Sequence, residues 1–292
     1  MEQQSEITAH ETEPERDQLL EAAQQIQVDG TDVIIEGKGK DTIVMIHGWP
    51  DTFRIWDKQV EALQDQYRCV RFTLPGYDKN SPRAFYSLEQ LVDKINKIVD
   101  AVSEGDPVTL LLHDWGCFFG YQFYMRYPEK VSKIIGVDIG DAGSKEHVLS
   151  AKVKAFMFGY QMWLATAWKI GGPIGDAMTR KMAKILKAPG DIESITSSMT
   201  YSYYWKWSNT LTGRPLGNLP LDIQCPFLFM YGENKPGMFH SKSWEERISA
   251  TPGNRVVPFA TRHWVMTEAK DEFNHTLLDW LQEFKNPLHQ AS

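Results

Sequence analysis

The chain has 292 residues, 42% of them apolar and 12% aromatic, and a formal net charge of −7. That length and apolar content suit one large α/β domain with an inserted lobe. The negative charge, with no offsetting basic run, argues against a nucleic-acid partner.

Residues 1–24 are acidic and polar, without the basic start and apolar stretch of a signal peptide, and are expected to form a disordered lead-in. A strand is predicted over 27–35, and another over 42–46 that runs into His47-Gly48-Trp49-Pro50. A third, over 69–73, closes on Leu74-Pro75-Gly76-Tyr77. Ser87 and Gln90 make a capping box, and Leu91, Ile95, Ile98 and Val102 continue it at helical spacing. Further strands are predicted over 108–112, 131–139, 226–231 and 255–259, with a closing amphipathic helix over 273–284. Strands alternating with helices argue for a mostly parallel sheet covered on both faces.

The rhythm breaks over 141–219, a stretch rich in Met, Trp and Tyr that reads as a helical cap inserted after strand 6; residues 25–140 and 220–292 form the core. Residues 155–168 come nearest to a membrane span but fall short of the ~18 apolar residues required. They are read as an amphipathic helix over an apolar pocket, contact with a membrane surface being the other reading. Cys69, Cys117 and Cys225 are widely spaced and form neither a disulfide framework nor a metal pattern, so a reducing, cytoplasmic setting is expected.

The most informative segment is Leu112-His113-Asp114-Trp115-Gly116-Cys117, between an apolar strand and a predicted helix. A sharp strand-to-helix turn exposes its central side chain beside backbone N–H groups that can hold an oxyanion. The central residue is Asp, so a covalent intermediate there would be an alkyl ester of the enzyme.

With His47-Gly48-Trp49-Pro50, Trp56 nine residues after His47, His113-Asp114-Trp115-Gly116 and a late His263, the chain resembles the α/β-hydrolase superfamily. The likeness is to its Asp-nucleophile branch of epoxide hydrolases and haloalkane dehalogenases. It implies an α/β-hydrolase fold with a mostly parallel eight-stranded sheet. Asp114 is the implied nucleophile and His263 the base that activates water. Backbone N–H groups of Trp49 and Trp115 would hold the oxyanion, and their indoles could face the leaving group. His47 and His113 read as structural turn residues.

The branch often places the acid that orients the histidine in a Gly-x-x-Asp turn after the seventh strand. Here the turn reads Gly232-Glu233-Asn234-Lys235, and Lys cannot accept an imidazole N–H. Other members place the acid after the sixth strand, where this chain has Asp138. Asp138 is therefore preferred over Glu233. Leu112 departs from the small residue usual two positions before the nucleophile.

Similar epoxide hydrolases polarise the epoxide oxygen with two cap tyrosines. Tyr160 is the first candidate, on a helical face with Phe156, Trp163 and Ala167. For the second, in Tyr201-Ser202-Tyr203-Tyr204-Trp205-Lys206-Trp207, Tyr204 is chosen, with Tyr203 and Trp205 as the other possibilities. Phe156, Trp163 and Trp205 are expected to line the substrate pocket.

The expected reaction is hydrolysis of a small apolar epoxide to a vicinal diol through an Asp114 ester, cleaved by water activated by His263 and Asp138, with no metal or organic cofactor. A haloalkane dehalogenase using the same Asp, with Trp residues binding halide, is the alternative. A non-catalytic α/β-hydrolase receptor or binding protein is the third reading. Fluoroacetate chemistry is disfavoured because Trp115 stands where such enzymes carry Arg, and a Ser esterase because no Ser occupies the elbow.

Overall fold

A computed structural model of the chain describes residues 23–285. The expected N-terminal lead-in lies outside the described residues as far as residue 22, and Gln24 already begins the first strand.

Eight strands form one sheet: β1 (Gln24–Val28), β2 (Thr31–Glu36), β3 (Thr42–Ile46), β4 (Arg68–Phe72), β5 (Val108–His113), β6 (Val131–Val137), β7 (Phe227–Gly232) and β8 (Arg255–Phe259). Their spatial order is β1-β2-β4-β3-β5-β6-β7-β8. β1 and β2 pair antiparallel, as do β2 and β4, and every other neighbouring pair is parallel. The single strand expected over 27–35 is thus a correction. Asp29 and Gly30, both at positive φ, turn the chain back and make a hairpin. Asp-Gly is a strong hairpin signal because both residues tolerate that backbone region.

The parallel strands are apolar along their length because helices cover both faces. Val44, Ile46, Leu110 and Leu112 pack with the α2 helix (Leu88–Val102), whereas Ile43, Met45 and Leu111 face the other cluster, which contains Trp56, Phe273 and Trp280. α1 (Asp57–Leu63) follows a 3-10 turn over Phe53–Trp56. α2 starts with the capping box that Ser87 and Gln90 promised. α3 (Trp115–Tyr124) follows β5 directly.

Between β6 and β7 lie α4 (Ala151–Ile170), α5 (Gly172–Leu186) and α6 (Tyr201–Thr212). α4 packs on both α5 and α6. Gly171 and Gly172, at φ +65° and +55°, allow the sharp turn from α4 into α5. α7 (Lys242–Ser249) joins β7 to β8; α8 (Val265–Glu268) and α9 (Lys270–Glu283) follow β8. The eight-stranded, mostly parallel sheet with flanking helices is an α/β-hydrolase fold. Among the described residues no helix is long and apolar enough to cross a membrane.

Candidate active site

β5 ends at His113, and Asp114 turns the chain into α3 with φ 51° and ψ −122°. A non-glycine residue there is strained, and strain of this kind gathers at functional sites. The elbow is possible because its neighbours lack side chains. A Cβ on Gly48 would sit 2.4 Å from the Cβ of Asp114, and one on Gly116 would sit 2.2 Å from the Ile46 carbonyl oxygen. The bulky Leu112 is accommodated in the same way: a Cβ on Gly120 of α3 would lie 2.4 Å from Leu112 Cδ2. Gly120 thus leaves the room that Leu112 takes up.

Asp114 Oδ1 accepts from the Trp49 N–H at 2.8 Å, and the Trp115 backbone N–H also bonds its carboxylate. These are the two donors expected of an oxyanion hole. Oδ2 faces His263 Nε2 at 3.4 Å. Burial pushes the Asp114 carboxyl up, but His263 outweighs it and holds the group below its ordinary pKa. The nucleophile candidate is therefore ionised at neutral pH.

His263 lies just after β8, and its Nδ1 is 2.5 Å from Asp138 Oδ2, at the end of β6. Asp138, Asp114 and His263 are thus brought together. Glu233 is exposed and is not among the partners of His263. Lys235 fills the position where the branch often has the acid, and its ammonium pairs with the far oxygen of Asp138 while also donating to Gly232 O at 2.7 Å. The ammonium thus sits behind the carboxylate that faces His263. Burial pushes Asp138 up; Lys235 and His263 together hold it below the ordinary value. Burial likewise lowers His263, but the charges and hydrogen bonds of Asp138 and Asp114 lift it to about 9.

Behind these groups, burial drives the other two motif histidines down, His47 to about 4 and His113 to about 3. His47 Nδ1–H donates to Gly48 O at 2.9 Å and Nε2 accepts from Leu74 N at 2.8 Å, which ties two loops beneath Trp49. His113 Nε2–H donates to the His263 carbonyl at 3.1 Å. Asp51, missed in the sequence, is buried and accepts from Trp264 Nε1 at 2.9 Å; burial raises it to about 7.

Over Asp114 lie two spaces that share part of their lining. One, of about 280 Å³, is lined by Trp49, Phe156, Tyr160, Tyr203 and Ile185 among others; the second, of about 680 Å³, by Trp115, Phe118, Tyr160, Tyr203 and Trp205. Asp114, Met157, Tyr160, Tyr203 and Phe239 line both. The rings of Tyr160 and Tyr203 lie 6.3 Å apart at 76°. Burial pushes both phenols up, so both stay protonated, and Asp114 adds to the effect.

Two placements differ from expectation. Tyr204 points away from Asp114, against Phe85 and Trp168, with ring centroids 6.3 Å from each. Tyr203 takes the place beside Trp49 and Trp115 instead. Successive residues on a helix point about 100° apart, so Tyr203, Tyr204 and Trp205 cannot share one direction. Trp163 is the second correction. It lines neither space, is 36% exposed, and turns outward so that its indole donates to Met178 O of α5 at 2.8 Å. Phe156 and Trp205 do line the cavity.

A further residue, Gln161, was not singled out from the sequence. Its Oε1 accepts from Lys206 Nζ and Trp207 Nε1, each at 3.1 Å, and its Nε2 donates to Tyr160 Oη at 3.1 Å. That bond occupies an acceptor site on Tyr160 and leaves its O–H free to donate into the cavity.

A family model for the alpha/beta hydrolase fold matches residues 41–270. Epoxide hydrolase 1 of Caenorhabditis elegans is 23% identical over 268 residues, 84% of this chain and 66% of that protein. Human epoxide hydrolase 4 is 24% identical over 268 residues, 84% of this chain and 74% of that protein. The probable oxidoreductase EphD of Mycobacterium tuberculosis matches at 28% over 128 residues, with 22% of its length covered. The chain therefore spans slightly less than two thirds of the worm relative and under a quarter of the mycobacterial one. Among solved structures, an epoxide hydrolase from Bacillus megaterium with a bound diol product superposes with a TM-score of 0.69 at 23% identity, covering 89% of this chain and 100% of that one. One from Vigna radiata gives 0.63 at 18% identity, covering 89% and 98%. These likenesses agree with the sheet order and the elbow, and with a family model matched over most of its length the chain belongs to the α/β-hydrolase fold family.

Proposed function

We propose that this protein is an epoxide hydrolase. The observation that carries the reading is the pair of buried phenols, Tyr160 and Tyr203, lining one cavity with Asp114. The names of its relatives in worm and human point the same way.

The epoxide oxygen sits between the two phenols. An Asp114 oxygen attacks a ring carbon, the C–O bond of the ring breaks, and a phenol proton passes to the departing oxygen. The product is a hydroxyalkyl ester. His263, oriented by Asp138, then takes a proton from water, whose oxygen adds to the ester carbonyl. The N–H groups of Trp49 and Trp115 hold the resulting oxyanion. Collapse releases the alcohol oxygen, which takes the proton from His263. Asp114 is left as a carboxylic acid and loses its proton, which balances the one the phenolate regains from solvent. A vicinal diol leaves.

The helices between β6 and β7 act as the cap, so that α4 and α6 supply the acid groups while the sheet supplies nucleophile and base. Repeated turnover in oxygen-18 water is the test, because ester hydrolysis places label in the Asp114 carboxylate. Label confined to the diol would reject the covalent route. A dehalogenase reading draws on the buried indole N–H of Trp49, which has no hydrogen-bond partner among the described residues. Bromide release from bromoalkanes without diol formation from epoxides would establish it instead.

A further inference from the structure

The outer face of the α4–α5 hairpin combines two features seldom left in water together. The first is apolar exposure: Phe156, Trp163 and Ile170 on α4, and Ile174 and Ile185 on α5, are between 36% and 67% exposed. Singly these would mean little, but here they share one face. The hairpin is antiparallel. Trp163 bonds Met178 across it, and Phe156 and Ile185 line one cavity. That register sets the α4 residues beside those of α5 from one end of the hairpin to the other.

The second feature is charge. Residues 151–188 carry seven Lys or Arg and a single acid, Asp176, within a chain of net charge −7. Asp176 is turned inward, bonded to the backbone N–H and hydroxyl of Ser197 at 2.7 Å each. Arg180 is paired with Glu193, but among the described residues Lys169, Lys181, Lys184 and Lys187 have no carboxylate partner. Lys181 lies 5.7 Å from the centre of the Trp163 ring. Basic side chains around an exposed apolar stripe with an indole at its edge match the requirements of a lipid headgroup layer: the stripe enters the acyl boundary and the ammonium groups stay with the phosphates.

We infer that this face docks on an anionic lipid bilayer. Phe156 and Ile185 both line the smaller of the two spaces over Asp114 and are partly exposed, so docking on this face would set that space against the acyl region. An apolar substrate could then pass from the bilayer to the carboxylate without crossing water. That last step rests on the proposed hydrolysis; the docking does not.

The test is co-sedimentation of the full chain with vesicles of phosphatidylcholine, with and without phosphatidylglycerol. The protein should sediment with the anionic vesicles, less so as salt rises. The Lys181→Glu/Lys184→Glu variant should bind at least about thirtyfold more weakly, from two lysines at about 1 kcal/mol each. Ile170→Ser/Ile174→Ser should also lose binding. None of these four residues lines the cavity, so turnover of a small dissolved epoxide should be unchanged in both variants. Absence of binding to anionic vesicles, or equal binding by wild type and both variants, would overturn the inference. So would equally tight binding to soluble polyaspartate that ignores Ile170 and Ile174, which would assign the face to an acidic protein. Because binding is read without catalysis, it stands or falls separately from the epoxide reaction.

Discussion

His263 Nε2 lies 3.4 Å from Asp114 Oδ2, so the candidate base faces the candidate nucleophile directly while its other nitrogen is held by Asp138. With a pKa lifted to about 9, the imidazole is protonated in the resting protein at neutral pH. A protonated imidazole cannot accept a proton from water. In the proposed reaction, esterifying Asp114 would remove one of the two charges that lift His263 and bring its pKa down toward the range in which it accepts a proton. Asp114→Asn should therefore lower the His263 pKa by about one unit or more, as read from imidazole NMR shifts during a pH titration. An unchanged value would show that Asp114 does not tune it.

The same pair shapes the pH dependence of stability. The folded pKa of His263 lies above its ordinary value, so its contribution is full below about pH 6.5 and fades as pH rises toward 9. Asp114 and Asp138 are depressed, so theirs is present above about pH 3.8 and disappears in acid. Melting temperature should hold a plateau between these limits and fall on both sides. Asp138→Asn should flatten the alkaline fall.

Removing the base should trap the ester. His263→Gln is expected to reduce steady-state turnover by a factor of about 10²–10⁴ while still giving one equivalent of alkylated protein. Mass spectrometry of the peptide containing Asp114 would carry the added mass of the epoxide. Undiminished turnover would remove His263 from the mechanism.

The two neighbouring tyrosines of α6 give a sharp contrast. Tyr203→Phe should lower kcat/KM for epoxides by about a hundredfold, because that phenol lines the cavity with Asp114. Tyr204→Phe should stay within about twofold, since Tyr204 packs against Phe85 and Trp168. The reverse result would restore the assignment suggested by the sequence.

Lys235 should matter without touching substrate carbon. Its ammonium and the Asp138 carboxylate are both nearly inaccessible, 5% and 0% exposed. Removing one member of such a pair costs about 3–5 kcal/mol, and Lys235→Met is expected to show that loss in urea unfolding. It should also raise the His263 pKa further, because a positive charge near the triad is lost. An alkaline shift in the ester-hydrolysis step, measured by single-turnover quench, separates this tuning from simple destabilisation.

Most of the core was legible because each parallel strand is a short apolar run closed by a turn. The run 255–259 falls on β8 residue for residue, and β5 extends the expected strand by only His113. The elbow and the late histidine stood out because their residue types conflict with a purely structural reading. The β1–β2 turn was missed because the flanking strands are short and β1 is mostly polar, so Asp29-Gly30 reads as an interruption within one strand and not as the reversal it makes. In α6 the sequence offered adjacent aromatics, and which of them faces Asp114 depends on helix phase. That phase is fixed by contacts such as Tyr201 with Tyr77 and Trp168, which come from distant parts of the chain. Trp163 shows the same limit: its indole is drawn outward by a carbonyl on α5 that no local pattern announces.

The two chambers above Asp114 differ more than twofold in size, about 280 against 680 Å³. In the proposed reaction, a molecule whose reactive ring sits between Tyr160 and Tyr203 has both spaces open to its two arms. With unlike arms, the mirror image that seats the bulkier arm in the roomier side while presenting its strained carbon to the carboxylate is expected to react faster. Under the proposed reaction this inequality of space is expected to favour one mirror image, and narrowing the larger chamber at Phe118 or Trp205 should weaken or invert that preference.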